Sequence, residues 1–175
     1  MFGNRTKHGD DALSSATTID HLRPGDGAEL WRLARDTGVL DLNSSYSYLM
    51  WVRDFAATSV VARQDGRPIG FVTGYLRPDE REVLFVWQVA VDRSHRGRGV
   101  ARAMLDALVE RGREQGARFL ETTITTANSA SIRLFTALAR DAGVRLERHL
   151  LFPSELFPDG HDTETLYRLG PWPGR

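Results

Sequence analysis

The sequence predicts a single α/β domain whose central mixed, largely antiparallel sheet of about seven strands is flanked by about four helices. Two patterns and one bulk property carry this. Apolar residues recur at helical spacing in several segments, and between these lie short apolar or alternating runs bounded by Gly, Pro, Asn and Asp. The chain has 175 residues, 41% hydrophobic and 26% charged, which suits one folded core rather than a disordered or fibrous chain.

Residues 1–16 are polar and aperiodic, as expected of a disordered or mobile tail. TTIDHL reads as a short strand, and RPGDGAELWRLARDTG as a turn followed by an amphipathic helix with Leu30, Leu33 and Ala34 on one side. VLDLNSSYSYLMWVRDFA begins with small polar residues and becomes helical near Tyr48. SVVARQ, PIGFVTGYL and VLFVWQVAV, separated by QDGRP and RPDERE, form an antiparallel meander. Val100, Ala101, Met104, Leu105 and Leu108 mark a helix that ends around Gly112 and Gly116, and FLETTIT is the next strand. NSASIRLFTALARDAG aligns Ile132, Phe135, Leu138 and Ala139 on one helical face and stops at Gly143. VRLERHLLF and TETLYRLG close the sheet, so one domain spans 17–171 and residues 172–175 are a short tail.

Composition narrows the function. Lys+Arg and Asp+Glu are both 23, so no net field draws in nucleic acid or an anionic membrane. No apolar run approaches the ~18 residues of a membrane span, and the polar N-terminus lacks a secretory signal, so a cytoplasmic protein is expected. There is no cysteine, and the histidines at 8, 21, 95, 149 and 161 lack metal-ligand spacing, so neither a thiolate nucleophile nor a metal is expected.

One stretch concentrates chemistry. Arg96-Gly97-Arg98-Gly99 follows an apolar strand and opens a helix, where unpaired backbone amides and the helix dipole favour an anion and glycines admit phosphate oxygens. The spacing matches neither GxxxxGK[ST] nor GxGxxG. A solvated turn or a small RNA-binding run would have the same composition, although no wider basic face accompanies it.

With Val100 and Ala101 added, the stretch resembles the [QR]xxGx[GA] motif of the GNAT N-acetyltransferases, with Arg96, Gly99 and Ala101 at the matching positions. The resemblance implies that Gly97, Arg98, Gly99 and their neighbours hold the pyrophosphate of acetyl-CoA, with Arg96 and Arg98 meeting phosphate. It also implies that the strand edge at Val89, Ala90 and Val91 pairs with the pantetheine arm. Asn128 to Phe135 resembles NxxAxxLY, with Ser131 in place of alanine and Phe135 in place of a tyrosine able to protonate the leaving thiolate. Asn128, Ser131 and Phe135 are therefore placed beside the cofactor, although a phenyl ring donates no proton.

LDLNSSYSYL, VWQVAVD, ETTITTANSASIRLF and HDTETLYRLGP are together similar to the L-2,4-diaminobutyrate acetyltransferases of ectoine synthesis. That resemblance implies acetylation of the 4-amino group, a place in compatible-solute synthesis under osmotic stress, and a homodimer to which LLFPSELFP would offer apolar contacts. A diamino acid calls for acidic, hydrogen-bonding and aromatic groups, which Asp41, Asn43, Ser44, Ser45, Tyr46, Trp87 and Glu164 supply. Asp41, Tyr46 and Trp87 match substrate-contacting positions. The acid of the C-terminal segment is placed at Glu164, with Glu155 as the alternative. Glu164 or Asp41 would act as base or locate the cation, and a backbone N–H near Val89 would stabilise the oxyanion. Each residue also has a plain structural reading: Trp87 as core, Asp41 as a helix cap, Tyr46 as a loop anchor, Glu164 as a solvated strand residue. The alternative functions are acetylation of another diamine or of a protein N-terminus, and a coenzyme A sensor without catalysis, for which Phe135 is the supporting feature.

Overall fold

The computed structural model describes residues 17–173; the tail expected at 1–16 and the last two residues lie outside it. Strands β1 (Thr18–Asp20), β2 (Val60–Gln64), β3 (Arg67–Arg77), β4 (Glu80–Val91), β5 (Phe119–Thr125), β6 (Arg145–Phe152) and β7 (Glu164–Gly170) form one sheet in the order β1-β2-β3-β4-β5-β7-β6. All neighbours are antiparallel except β4 and β5, which run parallel and are joined by helix α3 (Val100–Glu114). The mixed, largely antiparallel sheet of the sequence reading is therefore present.

Helices α1 (Gly27–Thr37) and α2 (Ser45–Asp54) cover one face, where Leu30, Leu33, Tyr48 and Val52 pack on Val61, Phe71 and Ala90. Helix α3 and helix α4 (Ser129–Ala142) cover the other, where Met104, Leu105, Leu108, Phe135 and Leu138 meet Val72, Leu84 and Val86. Each fully buried Leu or Phe contributes about 1.5–3 kcal/mol, so these two layers hold the sheet between them. Under the α1 face, Arg63 Nη2 donates to Asp26 Oδ2 at 2.7 Å, and the Arg23 N–H donates to the same oxygen at 2.6 Å. The turn before α1 is thus tied to β2 by a buried ion pair whose removal on one side alone would strand a charge.

Helix α3 ends at Glu114, between Gly112 and Gly116 as the sequence reading has it; Gly112 also lets the helix lie close to the sheet, since a Cβ there would stand 2.8 Å from Leu84 Cδ2. Two local details depart from the sequence reading. Helix α2 begins at Ser45, with Ser44 at its cap, three residues before Tyr48. Trp172, assigned by sequence to a tail, is buried, and its N–H donates to the Arg118 carbonyl at 2.8 Å.

Two irregularities of β4 shape the middle of the molecule. Against β3, Thr73 faces Gln88 and Gly74 faces Val86, which leaves Trp87 as the extra residue of a β-bulge. Against β5, pairing covers only residues 83–86 with 119–122. Both strands run on beyond it, so they part and leave β4 with an unpaired edge. No helix among the described residues is long and apolar enough to cross a membrane.

Candidate active site

The gap between the parted strands opens into a cavity of about 760 Å3. Its walls come from the β4 edge, the loop before α3, the first turns of α3 and α4, and the loop after α1. Strand alternation turns Val89 and Val91 into the cavity, while Ala90, grouped with them from sequence, faces the α1–α2 core.

The loop entering α3 is shaped by its glycines and by Asp92. Asp92 Oδ1 accepts from the Ser94 N–H at 3.0 Å and from Ser94 Oγ at 2.6 Å, and these bonds hold its carboxyl below the usual range. Gly99, the cap of α3, has φ of 79°, a left-handed conformation, and no atom lies within 4 Å of where its Cβ would be. The space beside the backbone is thus open, and the N–H groups of the first helical turn have no acceptor within the helix. Arg96, Gly97, Gly99, Val100 and Ala101 all line the cavity. Arg96 Nε donates back to the Val91 carbonyl at 3.1 Å. Arg98 is exposed and does not reach the wall.

On the opposite wall Asn128 caps α4, its Oδ1 accepting from the Ser131 N–H at 3.1 Å, and both residues line the cavity. Phe135 does not: it is 1% exposed, packed in the core beneath α4. Its expected place at the cofactor is not met in this structure, because the helical face that carries it is the buried one. His95 and Arg102 also line the cavity, and sequence did not single them out. His95 Nε2 lies 2.6 Å from Gln64 Oε1, while Arg102 is bound to Asp106 and Asp141.

Two of the acceptor candidates, Asp41 and Glu164, meet at a corner beside this cavity without lining it: Leu40, on the wall, precedes Asp41, and Thr125, on the wall, pairs in register with Glu164. His161 links them: its Nε2 lies 3.0 Å from Asp41 Oδ2 and 3.7 Å from Glu164 Oε1. The Asp162 carbonyl and Asp41 hold the imidazole above its ordinary value, and the Phe157 ring stacks on it at 4.6 Å. Asp41 is exposed, whereas the Glu164 side chain is 16% exposed. Burial pushes the Glu164 carboxyl up, against a hydrogen bond from Thr123 and the nearby His161. Glu164 Oε2 is buried and without a hydrogen-bond partner among the described residues. Glu155 sits exposed on a separate turn, with Ser154 Oγ 3.5 Å away, and does not join this group.

Trp87 is half exposed and belongs to a band of rings: it lies 6.3 Å from Trp51 and 6.5 Å from Phe85, with Phe55 and Tyr75 beyond. Tyr46 is exposed on the first turn of α2, and Ser44 Oγ lies 3.2 Å from Ser47 Oγ. Asn43 reaches inward, bonded to the Tyr48 hydroxyl. Sequence reasoning passed over Gln88 although it is the lone amide in the apolar run VLFVWQVAV; it is buried between Tyr48 and the Asp41 loop.

A model of the acetyltransferase (GNAT) family matches residues 27–139. A relative from Streptomyces coelicolor named L-2,4-diaminobutyric acid acetyltransferase is 60% identical over 163 residues, which cover 91% of this chain and 96% of its own. A namesake from Streptomyces anulatus is 58% identical and covers 92% and 93%. The solved structure of diaminobutyrate acetyltransferase EctA from Paenibacillus lautus, in complex with its substrate L-2,4-diaminobutyric acid and coenzyme A, superposes with a TM-score of 0.88 at 38% identity, covering 93% of this chain and 99% of that one.

Proposed function

Because the chain belongs to the GNAT family of acetyltransferases and follows diaminobutyrate-acetylating relatives over most of its length, we propose that it transfers acetyl from acetyl-CoA to the 4-amino group of L-2,4-diaminobutyrate, giving N4-acetyl-L-2,4-diaminobutyrate for ectoine synthesis. One observation of the structure supports the reading: the glycine-bearing loop before α3 lines a cavity whose wall residues Leu40 and Thr125 adjoin the two carboxylates Asp41 and Glu164.

The open backbone at Gly99 and the free amides of α3 fit a pyrophosphate, and the unpaired edge of β4 fits an extended amide-bearing arm as an added strand. When bound, acetyl-CoA supplies an activated thioester. Arg96 adds positive charge at the phosphate end. Asn128 and Ser131 line the wall opposite.

At the acceptor end, Asp41 locates the substrate's cationic side, and Trp87 and Tyr46 offer ring faces to it. The amine must first lose a proton: an alkylammonium with pKa near 10.4 is neutral about once in 10³ at pH 7, a deficit of roughly 4–5 kcal/mol. Glu164 takes that proton, directly or through one water, and its burial makes it a stronger base than an ordinary carboxylate. The nitrogen forms its bond to the acetyl carbon as the carbon–sulfur bond breaks, and a β4 N–H near Val89 steadies the charge on the thioester oxygen. Phe135 cannot protonate the thiolate, which takes its proton from solvent. No acetyl-enzyme is needed.

The same reading makes the protein a cytoplasmic enzyme of the osmotic-stress response and a homodimer. Supporting the latter, Leu150, Leu151, Phe152 and Leu156 are exposed on and just after edge strand β6.

The test offers acetyl-CoA with diaminobutyrate, ornithine, lysine or a peptide amine and follows thiol release. Preferred turnover of diaminobutyrate, with the acetyl group on the 4-nitrogen by NMR, is the expected result. Preference for another amine overturns the substrate, and coenzyme A binding without thiol release makes the protein a sensor.

A further inference from the structure

The segment that carries Asp41 lies between α1 and α2 and forms no helix or strand, yet a carboxylate that seats a cation must be held still. We propose that Gln88, oriented by Tyr48, is the positioning residue that fixes the Asp41 loop and so sets which amine the corner accepts; this rests on the function proposed above.

Gln88 is 6% exposed and Tyr48 is 1% exposed. The Tyr48 hydroxyl donates to Gln88 Oε1 at 3.0 Å, and Gln88 Nε2 donates to the Asp41 carbonyl at 2.9 Å. An amide side chain has one accepting and one donating end. Because the Asp41 carbonyl only accepts, the amide turns its donating end to the loop, and the Tyr48 hydroxyl, by donating to the other end, holds it in that orientation. The same phenol is bonded by Asn43, so two loop residues, 41 and 43, rest on one buried pair. Core packing alone would be served by an apolar residue, since a buried amide costs stability unless it is fully bonded. Gln88 also directly follows the bulged Trp87, so one backbone irregularity directs both the aromatic wall and the anchor of the acid loop. The anchor grips Asp41 by its main chain, which leaves the carboxylate free for His161 or a substrate.

The experiment uses the full chain and three proteins: wild type, Gln88→Glu and Tyr48→Phe. Gln88→Glu keeps the shape and the bond from Tyr48 but turns an acceptor toward the Asp41 carbonyl. It is expected to raise KM for diaminobutyrate about tenfold or more, while KM for acetyl-CoA stays within about twofold. Tyr48→Phe frees the amide to rotate and gives a smaller shift in the same direction. Both narrow the preference for diaminobutyrate over ornithine, which is one methylene longer. Circular dichroism and thermal stabilisation by coenzyme A report folding and the donor site independently. Parallel rises in both KM values, or an unchanged KM for diaminobutyrate in the folded variants, overturn the proposal. If Gln88→Glu does not fold, Tyr48→Phe decides by the same criterion. Failure of wild type to acetylate diaminobutyrate would sink the proposed function instead, before either variant is compared.

Discussion

The loop before α3 and the acceptor corner are built by opposite means. At the loop before α3, contiguous residues present backbone amides, and what matters is chain conformation: Gly99 at a φ of 79° and open space where a side chain would be. At the acceptor corner, Asp41 meets His161, 120 residues further along the chain, and with it the neighbouring Glu164, and what matters is side-chain charge. A site made of backbone tolerates variation in most side chains but not in its glycines. One made of side chains is sensitive at each of them, and to everything that holds their loops.

Replacing Glu164 by Gln tests this contrast most severely. The expected loss is about 10²–10⁴ in kcat with KM for acetyl-CoA unchanged, measured by steady-state kinetics. In wild type the rate falls as pH drops through the raised carboxyl pKa, and in the variant that limb disappears. Stability moves the other way. A carboxyl raised by burial binds its proton more tightly in the folded state, so folding loses stability as pH rises through that range. Glu164→Gln is therefore expected to raise Tm at neutral pH. Unchanged kcat with raised KM for diaminobutyrate would reassign Glu164 to binding.

Gly99→Ala comes next and should act only at the other end: KM for acetyl-CoA up about tenfold, and stability down by about 1–2 kcal/mol from the left-handed backbone. Kinetics at saturating diaminobutyrate and a urea titration measure the two parts. Asp41→Asn should raise KM for diaminobutyrate about tenfold and leave KM for acetyl-CoA alone, since Asp41 touches only the acceptor corner. A matching rise for acetyl-CoA would show that the two ends are not separable.

His161→Gln gives the smallest effect. The imidazole is raised by the Asp162 carbonyl and by Asp41, so its contribution to stability is present at low pH and lost as pH rises through the raised value. Asp41 is largely exposed, so solvent screens the pair and the effect is slight. Denaturant titrations at pH 5.5 and 8.5 should show a smaller difference in the variant than in wild type.

Legibility in the sequence divides along the same line. The α3 loop pointed to an anion because strand, glycines and helix follow one another in the chain, but local rules left a solvated turn open at Arg96, Gly97 and Gly99, and Val100 and Ala101 entered the site only through the motif resemblance. Asp41 and Glu164 were readable only through resemblance, and the place of His161 three residues before Glu164 did not show that it would also reach Asp41. Phe135 was assigned to the cofactor by its motif position, but helical periodicity, which had also put it beside Leu138 and Ala139, describes its burial correctly. Gln88 was overlooked because its role depends on a bulge, and a nearly continuous apolar run conceals where alternation breaks.

That bulge makes β4 a strand with two phases. Before it, the even-numbered Leu84 and Val86 face α3 and α4; after it, the odd-numbered Val89 and Val91 do. Loss of the one residue at 87 would restore a single phase and leave every later side chain on its present face, with Val89 still toward the cavity and Ala90 toward the α1–α2 core. The extra residue is thus spare length in the strand: its deletion should cost the Trp87 ring and the local bend but not the inside–outside order of β4.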